Sequence, residues 1–119
     1  MELCKEIIEI VETHGFTLHN VEEQDGEYYV EMGQFTPAGE DWWEIIWFNG
    51  TNKDFINGVT RRYNTFDVDE EAEMWVEIRG TRGVPSSIKV LIKDAEWKEE
   101  ALLKLSDALD ELEFEEECE

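Results

Sequence analysis

The stretch at residues 27–48, "EYYVEMGQFTPAGEDWWEIIWF", reads as two β-strands joined by a turn and carries seven of the fourteen aromatic residues. Pro37 and Gly39 supply the turn between them. In the second strand a two-residue period puts Trp43, Ile45 and Trp47 on one face and Trp42, Ile46 and Phe48 on the other, with Glu44 as the only charge. A strand with one wet face alternates apolar and polar residues, whereas this one is apolar on both. The pattern therefore predicts a central strand packed under helices. The sharper reading of the same pattern leaves an aromatic patch for a partner.

Working outward, residues 2–14 place Leu3, Ile7, Ile10, Val11 and His14 on one helical stripe, with Gly15 following as a C-cap. His14 suits the carbonyl end of that helix better than a metal or a reaction. Phe16 to Glu23 alternates as a short strand, and "EQDGE" at 23–27 supplies the next turn. That makes three antiparallel strands in a meander, packed on one side by the first helix. Downstream, Thr51 caps a helix with Phe55, Ile56, Val59 and Tyr63 inward, its interior weakened by Gly58. Asp67 caps a third helix through residue 79, with Val68, Ala72, Trp75 and Val76 inward and Gly80 ending it. After "GTRGVPSS", Ser86 or Ser87 caps the longest helix, residues 87–113, about 40 Å if continuous. Its apolar stripe is Ile88, Leu91, Ile92, Ala95, Leu102, Leu105, Leu109 and Leu112. The expected fold is thus α+β: an N-terminal helix, a three-stranded antiparallel meander, then three helices with the last one long. One domain spans 1–119, and only the tail at about 113–119 is too charged to fold by itself.

Hydrophobic residues make up 41% of the 119, enough for one core, yet 31 Asp and Glu stand against 10 Lys and Arg, a formal charge of −21. Such a charge repels nucleic acid and anionic membranes, and attracts basic surfaces such as the nucleic-acid channels of other proteins. Cys4 and Cys118 match neither a metal spacing nor a disulfide scaffold and read as reduced thiols of a cytoplasmic protein, a bridge between the termini being the alternative. No stretch approaches the roughly 18 to 20 apolar residues that span a bilayer, and "MELCKEIIEI" is not shaped like a signal peptide.

The acids of "FDVDEEAE" at 66–73 lack the loop glycine and oxygen spacing of a calcium site. Asp67, Asp69, Glu70, Glu71, Glu73 and Glu77 read instead as the solvated face of the third helix. With no phosphate-cradling loop, nucleophile elbow or Cys and His arrangement, the chain reads as no enzyme and as needing no metal or cofactor. The distribution of charge says more. Between Lys5 and Lys53 there is no Lys or Arg but eleven acids, and a second acidic block runs from Asp107 to Glu119. Carboxylates held on rigid elements can occupy a nucleic-acid channel, because the Lys and Arg of a binder respond to charge and position. This assigns a partner-binding set of Glu22, Glu23, Asp25, Glu27, Glu40, Asp41, Trp42, Glu44, Asp67, Asp69 and Glu70.

The strings "TPAGEDWWEIIWF" at 36–48 and "FDVDEEAEMWVEIRGTRGVPSSIKVLIKDAE" at 66–96 resemble a group of small acidic proteins of phages and mobile elements from gut Firmicutes, over roughly residues 28–112. That resemblance implies a mobile-element setting and carries no catalytic residues. In architecture and acidity the chain is also similar to small anti-CRISPR proteins that occupy the DNA groove of a Cas nuclease. The implied role is an inhibitor that mimics nucleic acid on a basic protein partner, such as a Cas nuclease, and binds neither nucleic acid nor membrane. The alternative is an accessory protein acting through an aromatic interface, to itself or to a host partner.

Overall fold

The computed structural model describes residues 1–79 and 84–112. Its elements are α1 (Lys5–Thr13), β1 (Thr17–Leu18), β2 (Glu22–Gln24), β3 (Glu27–Phe35), β4 (Asp41–Phe48), α2 (Asn52–Thr65), α3 (Val68–Val76) and α4 (Ile88–Asp110). The fold is α+β, but the antiparallel sheet has four strands where three were expected. The strand expected over 16–23 is broken into β1 and β2, which pair in turn with β3, while β4 lies along the other side of β3. The break comes at residues 19–21. His19 still donates its backbone N–H to Glu31 O at 2.9 Å, and its ring stacks 4.6 Å from Trp43.

Turn chemistry sets the register. Gln24 pairs with Glu27 across Asp25 and Gly26, whose φ values of 52° and 84° make the two-residue turn that matches the twist of a hairpin. Between β3 and β4, Gly39 donates to Thr36 O at 2.9 Å with Pro37 in the second position, and Gly39 at φ 91° closes the loop.

The core forms on one face of the sheet. Val30, Met32, Trp42, Ile46 and Phe48 meet Ile7 and Val11 of α1, Phe55 and Val59 of α2, and Leu102, Leu105 and Leu109 of α4. Helix α1 ends where Gly15 N–H bonds Glu12 O and Phe16 N–H bonds Val11 O, with Phe16 and Val11 both buried. His14 Nδ1 lies 2.9 Å from Ile10 O, at the carbonyl end of the helix. Thr51 caps α2 through Asp54 N–H at 3.0 Å. Gly58, expected to weaken that helix, has a positive role: a β-carbon there would lie 2.8 Å from Ile46 Cγ2, so the glycine lets α2 approach β4.

Asp67 caps α3 through the N–H groups of Asp69 and Glu70, and the helix ends at Val76, short of residue 79. Helix α4 runs 23 residues, about 35 Å, and packs along its length with Leu91, Ala95, Leu102, Leu105 and Leu109 inward. Ile88 and Ile92, placed in its inner stripe by sequence, are exposed, and Asp94 and Lys98 are buried instead. The expected stop at Gly80, the tail at 113–119 and Cys118 lie outside the described residues.

Candidate functional site

Three residues of the expected docking set are buried: Glu40, Trp42 and Glu44. They could not meet a partner without opening the fold, and their contacts explain the burial. Glu44 stands in the inner row of β4, where Arg62 of α2 grips both its oxygens through Nε and Nη2 and Trp42 Nε1 donates to Oε2 at 2.8 Å. The Arg62 guanidinium also lies 5.0 Å from the Phe66 ring centre. A buried carboxylate so satisfied is part of the scaffold.

Glu40 belongs to a second internal group that was not legible as a site. Lys98, with 0% of its surface exposed, donates to Glu71 Oε2 at 2.7 Å and Glu40 Oε1 at 3.3 Å. Its ammonium sits 4.5 Å from the Trp75 ring centre, and Trp75 Nε1 donates to the same Glu71 oxygen at 2.8 Å. Asp94, one turn before Lys98, accepts from Ala38 N–H at 3.4 Å. Burial, helped by the neighbouring Asp94 carboxylate and opposed by the charge of Lys98, pushes the Glu40 carboxyl up to about 8. Glu40 Oε2 and Asp94 Oδ2 are both buried with no hydrogen-bond partner among the described residues, an environment that favours the protonated form of Glu40 at neutral pH. Glu71, expected on the solvated face of α3, is in this cluster because the ammonium would otherwise be buried without compensation. Lysine among carboxylates has the ingredients of a catalytic site, but this ammonium is sealed from any substrate. It ties the 36–40 turn to α3 and α4. One signal existed: the stripe of α4 has a gap between Ala95 and Leu102, and Lys98 falls in that gap, three residues after one and four before the other.

The remaining residues of the set are exposed. Glu22, Glu23, Asp25 and Glu27 line the β2–β3 hairpin, and Asp41 opens β4. Asp67, Asp69 and Glu70 stand at the start of α3, where the Asp67 carboxylate is occupied with capping.

What the structure adds is the outer face of the sheet. The helices cover only the inner face, contrary to the expectation of cover on both sides, because their apolar stripes converge with the inner rows in one core. Trp43, Ile45 and Trp47 are left 38%, 50% and 42% exposed. They form a built surface rather than loose side chains. Trp43 pairs with Gly33, where a β-carbon would come 2.3 Å from its ring, and lies between that glycine and His19. Its Nε1 donates to Asp41 at 2.8 Å. Trp47 stacks on Tyr29 at 4.8 Å, and Ile45 stands opposite Glu31. Glu22 pairs with Tyr29 at the margin of the face. Since residues 6–52 contain no Lys or Arg, no cation of the sheet neutralises these carboxylates.

Among the described residues no cluster of three or more His, Cys, Asp or Glu is placed to hold a metal, and no helix is long and apolar enough to cross a membrane. No protein-family model, curated protein or solved structure matches the chain.

Proposed function

We propose that this chain is a non-enzymatic binding protein that docks a basic protein surface onto the outer face of its sheet. The observation that carries the reading is the exposed row Trp43, Ile45 and Trp47, held in fixed orientation and bordered by carboxylates. Rigid aromatics are the side chains that dominate binding energy at protein interfaces, and their faces attract Lys and Arg. The charge of −21 then steers a basic partner and rejects acidic ones.

A second element of the proposal is inhibition by imitation of nucleic acid, in the setting of a phage or mobile element and with a defence enzyme such as a Cas nuclease as partner. The exposed acids Glu22, Glu23, Asp25 and Glu27, gathered on one hairpin beside the aromatic face, support it.

The test is calorimetric titration of a partner captured by cross-linking, at low and high salt, with and without competing DNA. Trp47→Ala is expected to cost roughly 2 kcal/mol or more of binding energy. Reversal of the four hairpin acids to Lys is expected to slow association and flatten the salt dependence. Affinity unchanged by the tryptophan variant would overturn the docking reading, and a complex that DNA cannot displace would remove the imitation.

A further inference from the structure

The antiparallel ladder fixes where the backbone groups of β4 point. Thr36 N–H donates to Glu40 O at 2.9 Å, and Thr36 and Glu40 continue the β3–β4 register in which Gln34 faces Trp42 and Met32 faces Glu44. Since hydrogen-bonded and non-bonded pairs alternate in such a ladder, Trp42, Glu44, Ile46 and Phe48 turn their N–H and C=O groups toward β3. The odd residues Asp41, Trp43, Ile45 and Trp47 turn theirs away. His19 N–H bonding to Glu31 O confirms the phase, because the odd residues of β3 face β1 and β2.

Among the described residues no hydrogen bond reaches the outward groups of Asp41, Trp43 or Ile45. At Trp47 the edge is closed by α2, whose Gly58 would place a β-carbon 3.1 Å from the Trp47 carbonyl oxygen. Edge strands are guarded against pairing by charged side chains, proline, a bulge or a covering helix. From Asp41 to Ile45 this one has no lysine, proline or bulge, its inward charge Glu44 is already held by Arg62, and the side chains beside its open backbone groups are Asp41 and the aromatic face.

We propose that the open edge of β4, from Asp41 to Ile45, accepts an extended segment of a basic partner as an added antiparallel strand. The inference rests on the docking face above and specifies how the partner engages it. Charge selects the occupant: a second copy would bring another −21, whereas a segment with Lys or Arg at alternate positions would set them beside Trp43, Ile45 and Asp41. Antiparallel addition continues the sense of every pair already in the sheet and is the more stable of the two. In that arrangement partner residues opposite Trp43 and Ile45 share their outer face and direct their own N–H groups at β4.

The experiment uses the full chain and a short synthetic peptide alternating Lys and Val, with two versions N-methylated on the Lys or on the Val residues. Binding is read by titration, and backbone exchange at Trp43 and Ile45 by NMR. The unmodified peptide is expected to bind and slow exchange at both amides. Methylation on Lys should weaken it by about tenfold for each hydrogen bond lost, while methylation on Val should be tolerated. If the peptide binds, loses affinity in Trp47→Ala, but ignores N-methylation, strand addition is overturned and the docking face stands. If it fails to bind, or if sedimentation shows the chain pairing with itself through β4, strand addition is likewise overturned. Loss of tryptophan dependence with the captured partner is what would remove the docking face.

Discussion

Strand β4 carries two rows of nearly the same composition with opposite fates. Trp42, Ile46 and Phe48 are sealed in the core with Glu44, while Trp43, Ile45 and Trp47 stand on the opposite face, each more than a third exposed. The row that contains the charge is the buried one. Burial by hydropathy alone would reverse this, since the inner row must compensate a carboxylate and the outer row has none. The fold resolves it by supplying Arg62 and the Trp42 indole N–H to Glu44. An apolar row kept in water without such a return to stability is the feature on which the proposed docking reading rests.

The largest effects should come from the buried side. Trp42→Ala is expected to cost about 3–5 kcal/mol of folding stability by urea denaturation, through lost transfer energy and a cavity among Phe16 and Trp97. Lys98→Ala should cost a similar 3–5 kcal/mol, because it leaves Glu40, Glu71 and Asp94 buried without the ammonium. Near-zero cost at either position would mean that the buried side is not the scaffold described.

Next comes the proton in that cluster. The Glu40 carboxyl moves from 4.5 to about 8 on folding, so the folded state holds the proton more tightly across that window. Its contribution to stability is full below about 4.5, falls as pH rises, and is lost by about 8. Glu40→Gln puts a neutral amide of the same shape in its place and removes the titration. Denaturation midpoints measured through the window should fall more steeply with pH in the wild type than in Glu40→Gln. Parallel profiles would show that Glu40 holds no such proton.

How much of this was legible follows from the kind of signal each residue gives. Hairpins, caps and helix order are local, which is why Asp25–Gly26, Thr51, Asp67 and Ser87 stand where their chemistry placed them. The broken first strand was hidden because the contacts around the break, such as His19–Trp43, join residues far apart in sequence. The expected docking set is divided between exposed and buried residues for a related reason. Acids on the β2–β3 hairpin are exposed whatever packs elsewhere, whereas the exposure of Glu40 and Glu44 depended on where Lys98 and Arg62 arrive. The two-faced apolar pattern of β4 defined the choice between helix cover and an aromatic patch, and only the count of helices on each face decided it.

A smaller effect tests how firmly the outer row is built. Gly33→Ala would drive a methyl into the Trp43 ring and the Trp42 carbonyl oxygen, both within 2.5 Å of a β-carbon there. The expected cost is about 1–3 kcal/mol, as for other overpacked sites, with Trp43 fluorescence shifted by its displacement. An unchanged spectrum would mean that the indole does not rest on this glycine.

The smallest folding effect should come from Ile45→Thr, and it separates the two rows most sharply. Ile45 is half exposed, stands opposite Glu31 and lies outside the core cluster. Threonine keeps the β-branch that suits a strand and removes only apolar surface that already meets water. The denaturation midpoint should therefore correspond to a change within about 0.5 kcal/mol. Binding to the basic partner should nonetheless weaken, since Ile45 lies between Trp43 and Trp47 and its loss opens the dry centre of the face to water. Equal losses in folding and binding would show that the outer row serves stability after all, and that the difference between the two faces of β4 is one of degree.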